Sequence, residues 1–239
     1  MPSTGVIIPS AGQGTRMGSE RLPKQLQELH GTPVLAHTLS RILKLESVRF
    51  LVIPTSTEIY QKTLHIVTRC LEQSGKSGQV EVEVVIGGSE RMHSVKNGLD
   101  WLSKMDVELV LVHDAVRPCF PLEAVEEAVC KAIKEGAAIL AIPASDTVKM
   151  VDDHFCVERT PARNSAWLAQ TPQVFRIEIL KEAFEKADKA GFIGTDDASL
   201  VEFAGYPVYV VPGNRENIKI TFPSDLYFAE KWVKKLGTK

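Results

Sequence analysis

A stretch near the start of the chain carries the residue types that handle polyphosphates: Pro9-Ser10-Ala11-Gly12-Gln13-Gly14-Thr15-Arg16-Met17-Gly18, followed by Arg21 and by Pro23-Lys24-Gln25. Glycines leave room for backbone N–H groups to approach an anion closely, and Arg16, Arg21 and Lys24 add fixed positive charge. The spacing matches neither common phosphate motif. G-x-G-x-x-x-G is one residue longer than the dinucleotide fingerprint, and the second apolar run ends in Pro54-Thr55 with no acidic residue for a ribose. G-x-x-x-x-G-K followed by Ser or Thr is absent. The competing reading is a plain glycine-rich turn between a strand and a helix.

Further candidates follow later apolar runs. In Gly87-Gly88-Ser89-Glu90-Arg91-Met92-His93-Ser94, two glycines allow a flat base or a ribose to lie against the backbone, and Ser94 can hydrogen-bond it. The simpler reading is a turn into a helix capped by Ser89. In His113-Asp114-Ala115-Val116-Arg117-Pro118, Asp114 is suited to a magnesium ion or a substrate hydroxyl, and Arg117 to a phosphate. The simpler reading is an Asp–Arg surface pair. Asp146-Thr147 reads first as an Asx-type turn, and Thr195-Asp196-Asp197 as a helix start whose Thr195 could also meet a phosphate. His93 and His113 have no metal-ligand spacing.

The elements that must position these residues alternate. Val6–Ile8, Val48–Ile53, Val82–Ile86, Leu109–Val112 and Ala138–Ile142 read as strands. Pro33–Leu45, Thr57–Gln73, Glu90–Met105 and Pro121–Glu135 read as helices between them, with Gly75 and Gly136 as stops. This order predicts an α/β fold: three layers, with a mostly parallel central sheet between helices on both faces. Ligands in such sheets sit at the carboxyl ends of the strands, where the residues above lie. The rhythm breaks at Pro143. Val148–Val151 and Phe155–Thr160 read as a hairpin around Asp152-Asp153-His154, projecting from the body. The simplest division is one domain over residues 1–239 with an inserted β-arm over 143–166. Beyond it, Arg176–Ala190, stopped by Gly191, and Pro223–Leu236 read as helices, and Pro207–Val211 and Ile218–Thr221 as strands. Lys219 lies in the last, where a lysine usually faces solvent.

Composition narrows the class. A chain of 239 residues with 44% hydrophobic content can bury a full core. A formal net charge of −2 argues against a general nucleic-acid binder, so a polyanionic small ligand would be held by local cations. Cys70, Cys119, Cys130 and Cys156 form no C-x-x-C pair and read as reduced thiols of a cytoplasmic protein. No signal peptide and no membrane span are expected.

Taken together and in this order, the motifs resemble the 2-C-methyl-D-erythritol 4-phosphate cytidylyltransferases. The marks are Ala11–Met17, Pro23–Gln25, Gly88–Val95, Val112–Pro118, Asp146-Thr147, Thr171–Gln173, Gly194–Ser199 and Asn217–Lys219, spread over nearly the whole chain. The resemblance implies a Rossmann-like nucleotide-diphospho-sugar transferase fold. It implies an enzyme that joins CTP and methylerythritol phosphate, releases pyrophosphate, and works with magnesium as a homodimer in the non-mevalonate isoprenoid route. It also implies roles. Arg16, Lys24 and Lys219 would face the triphosphate. Ser10, Ala11, Gly12, Gly14, Gly88 and Ser94 would surround the nucleotide. Asp114, Arg117, Thr171 and Thr195 would meet the sugar phosphate, and Thr147 and Arg163 would reach it from the partner's arm. The metal would be held mainly by CTP phosphates, with Asp114 as a candidate ligand. Three positions depart from the pattern: Ser10 stands where alanine is frequent, Ser89 replaces a common acidic residue, and Pro161, close to Arg163, removes an N–H in the arm. A ribitol 5-phosphate cytidylyltransferase and a non-catalytic nucleotide-binding regulator are the competing readings. The regulator would be expected to lose one of Arg16, Lys24 and Lys219, and all three are present.

Overall fold

The computed structural model describes residues 2–12 and 22–237. Arg16, Gly14 and Arg21 therefore lie outside the described residues. In chain order the strands are β1 (Thr4–Ile7), β2 (Glu28–Leu29), β3 (Thr32–Pro33), β4 (Val48–Thr55), β5 (Glu81–Ile86), β6 (Leu109–Val112), β7 (Ala137–Pro143), β8 (Met150–Val151), β9 (Val157–Arg159), β10 (Trp167–Arg176) and β11 (Tyr209–Pro212). The helices are α1 (Val34–Ile42), α2 (Tyr60–Ser74), α3 (Arg91–Leu102), α4 (Leu122–Glu135), α5 (Ile177–Ala190), α6 (Asp197–Phe203) and α7 (Pro223–Gly237).

Seven strands form one sheet in the order β11-β7-β10-β6-β1-β4-β5. β6, β1, β4 and β5 run parallel, as do β11 and β7, while β10 runs antiparallel between β6 and β7. Both faces are covered, so the strands are apolar on both sides. Val6, Leu109 and Leu111 pack on one face with Leu35, Leu39 and Ile42 of α1 and Val125 and Ala128 of α4. Ile7, Val110 and Val112 pack on the other with Val95 and Leu99 of α3, Leu180 and Phe184 of α5 and Leu200 of α6. A third small cluster seats α7: Ala229 meets Leu29, Val34 and Ile220. The expected helix stops at Gly75 and Gly191 take positive φ values of 68° and 63°, which glycine adopts without a Cβ penalty.

β10 was not among the strands expected from the sequence. Its Pro172 argues against a central strand, because proline cannot donate to a ladder. The chain accommodates it by breaking the pairing with β7 between Ala169 and Gln173, the stretch that contains Pro172. Conversely, Ile218–Thr221 is not a strand. Ile220 N bonds Val116 O at 3.0 Å, but the segment docks on the loop after β6 and joins no sheet. Ser89 is also not the cap of α3. Glu90 holds that position without a side-chain bond, and Ser89 Oγ lies 3.1 Å from His93 Nδ1. The expected hairpin is present as β8 and β9, antiparallel and paired only with each other, with exposed side chains throughout.

Candidate active site

A cavity of about 880 Å³ opens where β1, β4, β5 and β6 end. The sequence candidates Ser10, Ala11, Gly12, Lys24, Gly88 and Ser94 line it, together with Asp114 and Lys219. Four strand ends converge here because parallel strands all release their loops on the same side of the sheet.

The cavity wall after β5 is built from backbone. Gly87 N bonds Thr55 O at 2.8 Å, which fixes the turn after β5 against β4. A Cβ on Gly87 would lie 2.6 Å from Ala11 Cβ, and one on Gly88 would lie 2.3 Å from His93 Cβ, so only glycine fits at either position. Ser94 Oγ accepts from Gly88 N at 3.1 Å and donates to Glu90 O at 3.2 Å, holding this turn to the start of α3. On the opposite side Gln25 is buried. Its amide donates to Ser10 O at 2.6 Å and to Gly12 O at 3.2 Å, anchoring the start of the glycine-rich loop. Lys24, in a short 3-10 turn, is 8% exposed and borders the cavity.

Asp114 is the electrostatic centre. It is 5% exposed, and three cations surround it. Arg91 Nε donates to Oδ1 at 3.1 Å, while Arg117 Nε and Lys219 Nζ donate to Oδ2 at 3.2 and 3.0 Å. Burial alone would push this carboxyl up, but the combined pull of Arg91, Lys219 and Arg117 holds it well below the usual carboxylate range. The Asp114–Arg117 pair is thus interior, not a surface pair. Arg91 also reaches the buried Asp197, its Nη2 donating to Oδ2 at 2.8 Å. Lys219, expected on a solvated strand face, is still 40% exposed, but its ammonium pairs with Asp114. Its segment is fixed by the fully buried Asn217, whose amide donates to Thr171 O at 2.8 Å and Gln170 Oε1 at 3.1 Å. Arg117 Nη1 donates to Asn217 O at 2.7 Å, closing the link.

Thr171 stands behind Asp114. Its Oγ1 accepts from Asp114 N at 3.0 Å and lies 3.0 Å from His113 Nδ1. His113 Nε2 faces Arg117 O at 3.0 Å, and a carbonyl can only accept, so Nε2 carries the proton. Nδ1 is then the acceptor for the Thr171 hydroxyl, whose only hydrogen is committed. In this structure Thr171 acts on Asp114, not outward into the cavity. The other expected site residues sit elsewhere. Thr195 is exposed just ahead of α6. Thr147 and Arg163 lie together at the base of the arm, Arg163 Nη2 donating to Thr147 Oγ1 at 3.1 Å, and neither lines the cavity. Residues the sequence reading left without a role are Arg91, Asp197, His113, Gln25 and Asn217. The available signal for Arg91 was its place inside the Gly88–Ser94 motif.

A cavity of this size at the strand ends of such a sheet, lined by glycine backbone and by cations, is what a nucleotidyltransferase requires. Solved structures of the same architecture include the 4-diphosphocytidyl-2C-methyl-D-erythritol synthase of Anaerococcus prevotii, with TM-score 0.81, 31% identity, and 98% of this chain and 99% of that chain covered. Another is the 2-C-methyl-D-erythritol 4-phosphate cytidylyltransferase of Thermus thermophilus, with TM-score 0.74, 29% identity, and coverage of 97% and 99%. Residues 4–235 match the profile of the 2-C-methyl-D-erythritol 4-phosphate cytidylyltransferase family. The protein of that name from Syntrophus aciditrophicus is 42% identical over 236 residues, covering 98% of this chain and 97% of the relative. That of Geotalea uraniireducens is 43% identical over 236 residues, covering 97% of each. The chain belongs to the 2-C-methyl-D-erythritol 4-phosphate cytidylyltransferase family.

His113 gives the site a pH signature. It is fully buried and in edge contact with Phe120, with ring centroids 4.5 Å apart. Burial pushes its pKa down to about 3, so it stays neutral in the fold. An unfolded histidine titrates near 6.5, roughly, so the unfolded chain binds this proton first. The stability contribution is therefore complete above about pH 6.5 and is lost as pH falls toward 3. Between pH 7 and 4, His113→Gln should take up about one proton fewer on unfolding than the unaltered chain, measured from urea-unfolding free energies against pH. Equal slopes for the two proteins would contradict a buried neutral imidazole.

Proposed function

We propose that the chain transfers the cytidylyl group of CTP to 2-C-methyl-D-erythritol 4-phosphate and releases pyrophosphate. The observation that supports this most directly is one cavity lined both by the glycine backbone of Gly12, Gly87 and Gly88 and by Lys24, Lys219 and Asp114, with Arg117 behind Asp114. The nucleotide would lie on the wall formed by Ser10, Ala11, Gly12, Gly88 and Ser94, with Gly14 and Arg16 of the same loop beside its phosphates. A phosphate oxygen of the acceptor attacks the α-phosphorus in line. The new P–O bond forms as the bond to the β-phosphate oxygen breaks, and that electron pair leaves with pyrophosphate. The nucleophile is already anionic near neutral pH, so no general base is required. The difficulty is bringing a dianion to a polyanion, and fixed cations meet it by positioning and electrostatics. Lys24 and Lys219 would hold the α-phosphate as charge moves toward the leaving group. Asp114, with Arg117 and Thr195, would receive the acceptor.

Magnesium fits this site as a passenger of the nucleotide. Both oxygens of Asp114 are already paired with cations, and no cluster of three metal-binding side chains occurs among the described residues. Bound through CTP phosphates, the ion supplies charge neutralisation of the triphosphate. No helix among the described residues is long and apolar enough to cross a membrane.

A pyrophosphate-release assay crossing CTP, ATP, UTP and GTP with methylerythritol phosphate and ribitol 5-phosphate tests the reaction. The expected result is turnover with CTP and methylerythritol phosphate and little elsewhere. Faster release with ribitol 5-phosphate would replace the acceptor assignment. In the same assay Lys219→Ala should lower kcat about a hundredfold, some 3 kcal/mol of transition-state stabilisation, with a smaller change in the KM for CTP. A change confined to that KM would reduce Lys219 to ground-state binding.

The arm supports a homodimer with shared sites. Met150, Val151, Phe155 and Val157 are exposed apolar side chains on it, Phe155 at 87%. Thr147 and Arg163 pair with each other at its base, apart from the lining of their own cavity. In a twofold dimer the same surfaces meet reciprocally, so this pair would serve the partner's acceptor site. Lys24→Ala and Arg163→Ala should each be nearly inactive alone. Co-expressed with different tags and isolated as the doubly tagged dimer, they should recover about half of full activity, because one of two sites is then intact. A doubly tagged dimer as inactive as its parents would show that Arg163 serves its own chain or no site.

A further inference from the structure

Arg91 opens α3, directly after the Gly87-Gly88 turn, and its guanidinium spans two carboxylates from other parts of the chain. Nε donates to Asp114 Oδ1 at 3.1 Å and Nη2 to Asp197 Oδ2 at 2.8 Å. Asp114 lies in the loop after β6, and Asp197 opens α6 next to the turn that carries Thr195. Asp197 is 1% exposed, and its Oδ1 has no partner among the described residues. A buried carboxylate in that state depends on the one cation that reaches it. The neighbouring Asp196 caps α6 by accepting from Ser199 N at 2.9 Å, and its other oxygen accepts from Gln173 Nε2 at 2.8 Å. The Thr195 turn is therefore held from two sides, by β10 through Gln173 and by the nucleotide-facing turn through Arg91.

We propose that Arg91 is a positioning residue that ties the nucleotide side of the cavity to its acceptor side, holding Asp114 and the Thr195 turn in register with the Gly87-Gly88 wall. The proposal rests on the cytidylyltransferase reading above. The planar guanidinium presents donors along two edges, so one side chain can serve both carboxylates at once. A lysine at this position keeps the charge but places all its donors on one nitrogen, so it cannot reproduce the separate Nε and Nη2 contacts to the two carboxylates.

The test uses Arg91→Lys, Asp197→Asn and the double variant. Acceptor KM is measured at saturating CTP, CTP affinity by calorimetry with CTP and magnesium, and folding by thermal melting. Each single variant should raise acceptor KM about tenfold or more, with CTP affinity changed less than about twofold. The double variant should be no worse than the poorer single, because both break the same bridge. Acceptor KM within about twofold of the unaltered enzyme in both singles would overturn the proposal, as would equal losses in CTP affinity and acceptor KM. A merely structural ion pair would lower melting temperature and active fraction while leaving acceptor KM in place, which also overturns it. Should Arg91→Lys fail to fold, the near-isosteric Asp197→Asn decides alone. An unaltered enzyme that fails to turn over the acceptor would remove the cytidylyltransferase reading, and this inference with it. An active enzyme with unshifted variants would remove the inference alone.

Discussion

A buried carboxylate cannot stand alone in a protein interior. Desolvating an ion costs several kcal/mol, roughly, and is repaid only by well-placed opposite charge and hydrogen bonds. Asp114 meets that condition with Arg91, Arg117 and Lys219. The three cations come from the start of α3, the loop after β6 and the irregular segment before α7, so the charge is satisfied only once these distant parts have met. The same contacts that stabilise the carboxylate therefore fix where each cation points. The site is not added to a finished fold; part of the fold is specified by closing this cluster.

The support behind Asp114 follows the same logic. The Thr171 hydroxyl accepts from Asp114 N, and the neutral His113 accepts from Thr171 and donates to Arg117 O. Every polar group in that chain has a partner, and the direction of each bond is forced by the carbonyl at its end. β10, the antiparallel strand inside a mostly parallel sheet, supplies Gln170, Thr171 and Gln173 to three different neighbours. Running against its neighbours, it places the Thr171 region at the end where the parallel strands release their loops.

The chemistry needs little beyond placed charge. A phosphate attacking a phosphate brings its own nucleophile, so a catalyst gains most by excess positive charge that is already oriented before the substrates arrive. In the buried cluster Arg91, Arg117 and Lys219 outnumber Asp114 and Asp197, while the cavity lining also carries Glu58 and Glu90 and the chain as a whole has a net charge of −2.

The sequence by itself determined the alternation of strands and helices, the helix stops at Gly75 and Gly191, the projecting hairpin, and the glycine-rich loops at the strand ends. These are local properties: periodicity, turn chemistry and spacing depend on neighbours a few residues away. The family was legible for the same reason, since its motifs are short and their order is written along the chain. What the tertiary structure alone decided concerns residues whose partners are far away in sequence. A proline disfavours an inner strand, yet β10 with its Pro172 lies inside the sheet because a break in the ladder accommodates it. Lys219 reads as a strand lysine facing solvent; its segment is no strand, and Asn217 and Val116 hold it so that the exposed ammonium still pairs with Asp114. Arg91 was one charge within a glycine motif until Asp114 and Asp197 were brought to it from two other loops. Long-range pairing of charge leaves no periodic trace, because it depends on which loops the folded sheet brings together.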